Sequence, residues 1–477
     1  MTEPLWQWDE LAAAAQGAPE GRPEVRPDGT PSAAITGFSI DTRTLKPGDV
    51  FVALKAARDG HEFVSSAFAA GAAAALVSND YPRAKGDGAL LRVPDPLAAL
   101  EAIGRAARTR SNARIVAVTG SAGKTGTKEM LRLCLSDAGA THASEKSYNN
   151  HWGVPLTLAR MPRTAAYGVF EIGMNHAGEI TPLTRLVRPH AAVITTVGPV
   201  HLEYFPSVEA IAEAKAEIFE GLVPGGTAVL PYDNPHFERL KQRAQAVGAE
   251  VVAFGYAEGA DVRGIQANMD ARGSSVIAGV DSQRFRYHIG APGEHYVKNS
   301  LAVLAALMAL GADPMRCLNA LVKAAAPAGR GARTTLAAPD GRMLLVDESY
   351  NANPASVRAA LAAMATVPRA DFPRRLAVLG DMLELGDASA DLHRDLKEAV
   401  DAAGIDLVFA CGPMMKLLFD QLKPAQQAAW MLNSAELAPR LLDAVQAGDV
   451  VMIKGSLASR MGPVAEAMRA RFPMVGG

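Results

Sequence analysis

The stretch Thr119-Gly120-Ser121-Ala122-Gly123-Lys124-Thr125 has residues suited to chemistry on phosphates. Its two glycines let successive backbone N–H groups close on an anion, and a cation and a hydroxyl follow at once. In such a cradle Lys124 neutralises the β/γ-phosphates of a nucleotide and the Thr125 hydroxyl holds Mg²⁺. Val118 stands where the usual loop has its first glycine, so this loop is a shorter version. Glu171 lies within the apolar run Gly168–Met174, where a carboxylate is costly to bury unless paired or bound to metal. His201 follows the apolar run Ala191–Val197, at a place where open parallel sheets bind ligands. Lys215 sits beside a helical stripe of Ile211, Ala214, Ile218, Phe219 and Leu222. Taken alone, it reads as a lysine whose stem packs on the helix while its ammonium reaches water. The cluster Ser39, Asp41, Thr42 and Arg43 suits an anionic or sugar-like ligand, or equally a capped turn at a strand end.

These residues need strands and helices to hold them. Ile115–Val118 reads as the strand feeding the glycine loop, and Lys128–Leu133 as part of the helix leaving it. Upstream, Trp6–Ala15 reads as a helix, Gly37–Arg43 and Val50–Leu54 as strands, and Val64–Ala70 as a helix ending at Gly71. Downstream, Ser207 caps a helix over Val208–Leu222, strands follow at Ala228–Leu230 and Val251–Phe254, and residues 261–290 read as short antiparallel strands. A long helix over Glu294–Leu310 carries Asn299. The small residues from Ala324 to Gly331 suit an interdomain joint. Beyond it, strands at Met343–Val346, Leu376–Leu379, Leu407–Ala410 and Val450–Ile453 alternate with helices, the pattern of a doubly wound sheet. No G-x-G-x-x-G follows the first of these, which argues against a nicotinamide site. Their ends carry Asp347–Pro354, Gly380–Met382 and Lys454–Ser456, polar groups where parallel sheets place clefts.

A chain of 477 residues is too long for one core. The expected fold is α/β in three domains: a small α/β domain over 1–110, a P-loop-ATPase-like parallel sheet over 111–331, and a Rossmann-like doubly wound sheet over 332–477. A net charge of −2 supplies no basic field for nucleic acid. Three scattered cysteines match neither metal spacing nor a disulfide framework, which favours a reducing cytoplasm. The acidic start lacks the basic region of a signal peptide, and the longest apolar run, Leu301–Leu310, is too short to span a bilayer, so no membrane partner is expected.

The loop with Lys128-Glu129-Met130 resembles the ATP loop of the Mur ligases, enzymes that form amide bonds in peptidoglycan precursor synthesis. Further resemblances are Ser39–Arg43, Asp59–Phe63, Tyr148–Pro155, Glu171–His176, Ala214–Phe219, Ser349–Pro354 and Leu379–Gly386, so the likeness spans nearly the whole chain. The Asn149-Asn150-x-x-Gly153-Val154-Pro155 and Tyr350–Pro354 stretches are most similar to members that join D-alanyl-D-alanine to UDP-N-acetylmuramoyl-tripeptide. The resemblance implies ATP and Mg²⁺, two ions, with an acyl-phosphate intermediate. It implies that Thr119, Gly120, Ser121, Ala122, Gly123, Lys124, Thr125 and Gly126 cradle ATP, that Asn299 contacts adenine, and that Arg330 and Asp347 reach the phosphates and ribose, with Asn351 in the same cleft. Thr125 and Glu171 would hold one Mg²⁺ and His201 would help hold a second, while Lys215 matches a lysine the family carbamylates. This reverses the solvated reading of that lysine. Ser39, Asp41, Thr42 and Arg43 would hold the uridine diphosphate, and Asn149 and Asn150 the peptide arm. A monomer is expected. Asp233-Asn234-Pro235-His236 is similar to a diaminopimelate-reading signature elsewhere in the family, but it lacks the final arginine and reads as a turn. Alternatives are a sister ligase adding another amino acid, a folylpolyglutamate-synthase-like enzyme with the same core, and a nucleotide-dependent switch, which leaves the polar C-terminal strand ends without a role.

Overall fold

Apolar runs rich in valine, isoleucine and alanine, punctuated by glycine turns, build three successive sheets. The structure is a computed structural model that describes residues 4–16, 25–145, 147–270, 273–326 and 329–475. Residues Met1–Glu3 of the acidic start, and Pro327 and Ala328 of the expected joint, lie outside the described residues. Among the described residues no helix is long and apolar enough to cross a membrane.

The first sheet runs Arg26–Asp28, Ala89–Val93, Ala74–Ser78, Asp49–Val52, Gly37–Ser39, and only its first strand is antiparallel. Its first helix spans Trp8–Gln16, starting later than expected. The helix Pro96–Thr109 starts where the Asp95 carboxylate accepts the N–H groups of Leu97 and Ala98.

The central sheet has nine strands. Seven parallel strands run Thr141–Ala143, Tyr167–Glu171, Arg114–Thr119, Ala191–Ile194, Thr227–Pro231, Glu250–Gly255 and Val262–Asp270. Gly273–Val280 and Gln283–Ile289 then extend it antiparallel, where short antiparallel strands were expected. Alternate residues of Arg114–Thr119 face opposite ways. Val116 and Val118 pack with Met130 and Leu131 of the helix Lys124–Ala138, while Ile115 and Ala117 pack with Val154 and Leu158 on the other side. Each such side chain, fully removed from water, stabilises by ~1.5–3 kcal/mol.

The helix Gly153–Ala159 belongs to both of these sheets. Its Val154 and Leu158 enter the central core, whereas Leu156 and Ala159 enter the N-terminal core beside Trp6 and Ile103. The Trp6 indole N–H donates to Ala159 O at 2.9 Å across the seam.

The third sheet runs Ala332–Ala338, Gly341–Glu348, Asp449–Lys454, Arg374–Gly380, Leu407–Cys411, Gln427–Met431. The first pair is antiparallel and the rest parallel. Val346 and Met452 face Leu361 and Leu396, while Leu345 and Val451 face Leu441 and Met468, so helices cover both sides as a doubly wound sheet requires.

Four expected strands end early: Gly37–Arg43 stops at Ser39 and Val50–Leu54 at Val52. Tyr167–Glu171 stops at Glu171, placing that carboxylate at a strand end rather than inside an apolar run, and Ala191–Ile194 stops before Thr195. The expected helix over Val208–Leu222 is α-helical only to Ala216 and continues as a tighter 3₁₀ turn over Glu217–Gly221. The cause is local. Glu217 accepts the N–H groups of Gly178, Ile180 and Thr181, and a Cβ at Gly221 would lie 2.1 Å from Thr184 O.

Candidate active site

The glycine loop is built by close approach. Gly120 has φ +148° and a Cβ there would lie 1.9 Å from Thr195 Oγ1. Gly123 has φ +83° and a Cβ would lie 2.8 Å from both amide atoms of Asn299. Glycine is therefore required at both positions, and Asn299, on the helix Glu294–Ala309, is pressed against the loop. Ser121 N–H donates to Thr196 O at 2.9 Å, its hydroxyl reaches Gly198 O at 3.1 Å, and Thr195 Oγ1 donates to Ala122 O at 2.5 Å. The loop is held from outside, which leaves the first N–H groups of the helix beginning at Lys124 for an anion. Gly126 lies in the first turn, near Tyr296 and Asn299.

Lys124 Nζ folds back to donate to Gly120 O at 2.7 Å. Burial lowers its pKa, and the charge of Glu171 opposes that fall. Glu171 is wholly buried, and its oxygens accept Thr125 Oγ1 at 2.9 Å and Asn149 Nδ2 at 2.8 Å. Its backbone N–H goes to Ser144 Oγ at 3.3 Å, and the Ser144 carbonyl in turn accepts Lys128 Nζ at 2.8 Å. Two hard oxygens thus stand side by side at the loop, which fits Mg²⁺. Among the described residues no group of three or more His, Cys, Asp or Glu could cage a metal. Mg²⁺ is usually bound through one or two protein oxygens together with phosphates and water.

Lys215, near the end of its helix, is only 2% exposed. Burial, and after it the charge of Lys124, pushes its pKa well below the ordinary lysine value. The reading of a lysine reaching water therefore fails. A buried amine whose pKa is lowered gives up its proton more readily and so becomes a better nucleophile, which fits carbamylation. His201 has φ +56° just past the end of Ala191–Ile194, and its Nδ1 lies 2.5 Å from Glu384 Oε2. The structure brings Thr125 and Glu171 into direct contact and sets Lys215 within the field of Lys124. It engages His201 with a carboxylate from a loop of the C-terminal domain.

The remaining candidates fall into two groups. Arg330 lies toward the loop, where its charge adds to the lowering of the Lys124 pKa, with its guanidinium 4.0 Å from the Tyr350 ring centre and Nη2 3.5 Å from Ser147 Oγ. The others already have partners. Asp347 accepts Arg469 Nη2 and the Ser349 hydroxyl, each at 2.6 Å. Asn351 accepts the next residue's N–H at 2.9 Å through its side chain and Lys454 Nζ at 2.9 Å through its carbonyl. Asn150 accepts Gly153 N–H at 3.0 Å, starting the bridging helix. Ser39 donates to Asp41 O at 2.9 Å and Asp41 pairs with Arg43 at 2.6 Å, so this cluster, with Thr42 part-exposed beside it, is a capped turn with its charges paired. Asp233–His236 is a turn as expected: Asp233 accepts Tyr256 N–H and Asn234 donates to Val197 O, each at 2.8 Å.

Ser144, Lys128, Thr195 and Glu384 were not among the expected site residues. Lys128 and Glu384 lie in stretches that drew notice, but no local pattern joins Glu384 to a histidine 183 residues earlier.

Residues 118–307 match the model of the Mur ligase middle domain and residues 332–457 that of the Mur ligase glutamate ligase domain. A UDP-N-acetylmuramoyl-tripeptide--D-alanyl-D-alanine ligase of Escherichia coli (strain K12) is 35% identical, covering 90% of this chain and 92% of the relative. The crystal structure of MurF from Acinetobacter baumannii superposes with TM-score 0.81 at 29% identity, covering 98% of this chain and all of that one. That of MurF ligase from Thermotoga maritima in complex with ADP superposes with TM-score 0.74 at 26% identity, covering 92% and 98%. The matched middle domain takes in the loop, the Thr125–Glu171 pair and Lys215, and with this coverage the chain belongs to the Mur ligase family.

Proposed function

We propose that this chain is an ATP-dependent ligase that joins D-alanyl-D-alanine to UDP-N-acetylmuramoyl-tripeptide, releasing ADP and phosphate. The observation that carries the chemistry is the buried Thr125–Glu171 pair, joined by Asn149, against the Gly120–Lys124 loop. The choice of substrates is supported by relatives named for that reaction over nine-tenths of the chain.

In this reading the peptide carboxylate attacks the γ-phosphorus of ATP and ADP leaves. The dipeptide amine then attacks the acyl carbon, loses a proton and displaces phosphate. Lys124 exchanges its loop carbonyl for phosphate oxygens and stabilises charge during transfer. The loop from Thr119 to Gly126 orients the tail, Asn299 contacts adenine, and Arg330 with Asp347 serves the phosphates and ribose, Asn351 lining the same cleft. Thr125 and Glu171 would hold Mg²⁺, which when bound neutralises phosphate charge. His201 and a carbamylated Lys215 would hold a second ion. Forming the carbamate needs only the neutral Lys215 amine to attack CO₂ and release a proton. Ser39, Asp41, Thr42 and Arg43 would grip the uridine diphosphate and Asn149 and Asn150 the peptide arm. Residues 1–110, 111–331 and 332–477 would bind UDP substrate, ATP and dipeptide respectively. The enzyme would work as a cytoplasmic monomer.

The test is a product assay by mass with ATP, D-alanyl-D-alanine and UDP-tripeptides carrying lysine or diaminopimelate at the third position. A UDP-pentapeptide is expected. Product from a single amino acid, with none from the dipeptide, would assign a sister activity. Stripping bicarbonate should slow turnover and its return should restore it; a rate indifferent to bicarbonate removes the carbamate.

A further inference from the structure

His201 and Glu384 meet across the seam between the central and C-terminal sheets, and both hold left-handed backbone conformations, φ +56° and +62°. Non-glycine residues adopt that region rarely, so the surrounding structure must hold them there. The backbones are joined as well. Glu203 N–H donates to Glu384 O at 3.3 Å, and a Cβ on Gly386 would lie 3.5 Å from the Glu203 Cα and the Leu202 carbonyl.

The loop presenting Glu384 is braced by the C-terminal core. Leu383 N–H donates to Ser456 Oγ at 2.8 Å. Met382 N–H donates to Nε2 of wholly buried His393, whose Nδ1–H goes to Ser389 O at 2.6 Å. Asp381 accepts Met415 N–H at 2.7 Å and Met414 N–H at 3.3 Å. A carboxylate so held is an acceptor with a set position. In the neutral imidazole of His201 the nitrogen facing it carries the hydrogen, which leaves Nε2 as a lone pair.

We propose that Glu384 is a positioning residue that fixes His201 as the Nδ1–H tautomer, so that the C-terminal domain prepares a ligand of the central domain's Mg²⁺ site. The proposal rests on the reading of His201 as a metal ligand. A carboxylate behind a ligating histidine sets the ring's orientation and raises its basicity, and losing such a partner typically costs ~10–100-fold in metal affinity. Because the two residues sit on loops of different domains, the ring is prepared only while those domains are docked.

The experiment compares wild type, Glu384→Ala, Glu384→Gln and His201→Ala. In metal-free, ¹⁵N-histidine-labelled protein, the His201 ring should report the Nδ1–H form in wild type and move toward the Nε2–H form in Glu384→Ala. Glu384→Gln, which keeps an acceptor oxygen, should lie between. The half-saturating Mg²⁺ concentration should rise ~10–100-fold in Glu384→Ala, a larger change than in kcat. An unchanged ring signature in folded Glu384→Ala overturns the proposal. So does a Mg²⁺ requirement that rises in His201→Ala but not in Glu384→Ala. If His201→Ala leaves the Mg²⁺ requirement unmoved while Glu384→Ala still shifts the ring, the proposal falls through the metal reading, with the contact itself intact.

Discussion

The carboxyl ends of the central and C-terminal sheets carry similar polar residues but pair them to different degrees: Thr125 and Glu171 of the central sheet meet each other, while other groups there are left short. At the central sheet Lys124 has a loop carbonyl for company, and Lys215 is buried with its pKa driven down by two causes acting together. The buried Thr119 and Thr127 hydroxyls, on either side of the loop, have no hydrogen-bond partner. At the C-terminal sheet Asp347 is joined to Arg469 and Ser349, Asp381 to two backbone N–H groups, and Lys454 to Glu348 and the Asn351 carbonyl. Burying polar groups without partners is costly, and in the central sheet that shortfall falls beside the glycine loop. The satisfied groups in the C-terminal sheet shape the loops, including the one that carries Glu384.

The sharpest way to break this contrast is Lys124→Ala. Turnover, followed by phosphate release, should drop ~10³-fold, while calorimetry should find UDP-substrate binding nearly unchanged. Full activity would remove the central sheet's claim to the chemistry. Asp381→Ala tests the other side. It should cost about 1–3 kcal/mol of stability, read from urea midpoints, because two backbone N–H groups lose their acceptor. If the midpoint holds while turnover collapses, the C-terminal polar groups are chemical after all.

A third effect, confined to acid pH, concerns His190, at the amino end of the central sheet, away from the loop. Burial, joined by the charges of Arg114, Arg108 and Arg188, lowers its pKa from 6.5 to about 4, and its Nδ1 accepts Ile115 N–H at 3.0 Å. Unfolding therefore takes up a proton between those values. Its contribution to stability is complete above pH 6.5 and is lost as the pH falls toward about 4. His190→Asn should flatten the acid limb of stability over that range; an identical limb would show that this histidine does not govern it.

Much of the central site could be read from the chain because its parts are contiguous. Val116, Val118, Gly120, Gly123, Lys124 and Thr125 form strand, turn and helix within one short stretch. Ala74–Ser78 and Ala89–Val93 escaped notice because strands buried on both faces show no alternation, and alanine gives no strand signal. Ala332–Ala338 and Gln427–Met431, at the two edges of the C-terminal sheet, were missed as well. The Ser39–Arg43 cluster was legible as polar residues, but not as a turn whose carboxylate and guanidinium are already paired.

The sequence by itself determined the glycine loop, the alternation of strand and helix, and the family, since each depends on neighbours along the chain. Only the tertiary structure decided which polar groups find partners: Thr125 with Glu171, Asp347 with Arg469, His201 with Glu384. Those pairings span 46, 122 and 183 residues and exist only where packing brings strand ends and loops together. The same packing buried Lys215 beside the charge of Lys124, which no stripe of helix-facing residues could announce.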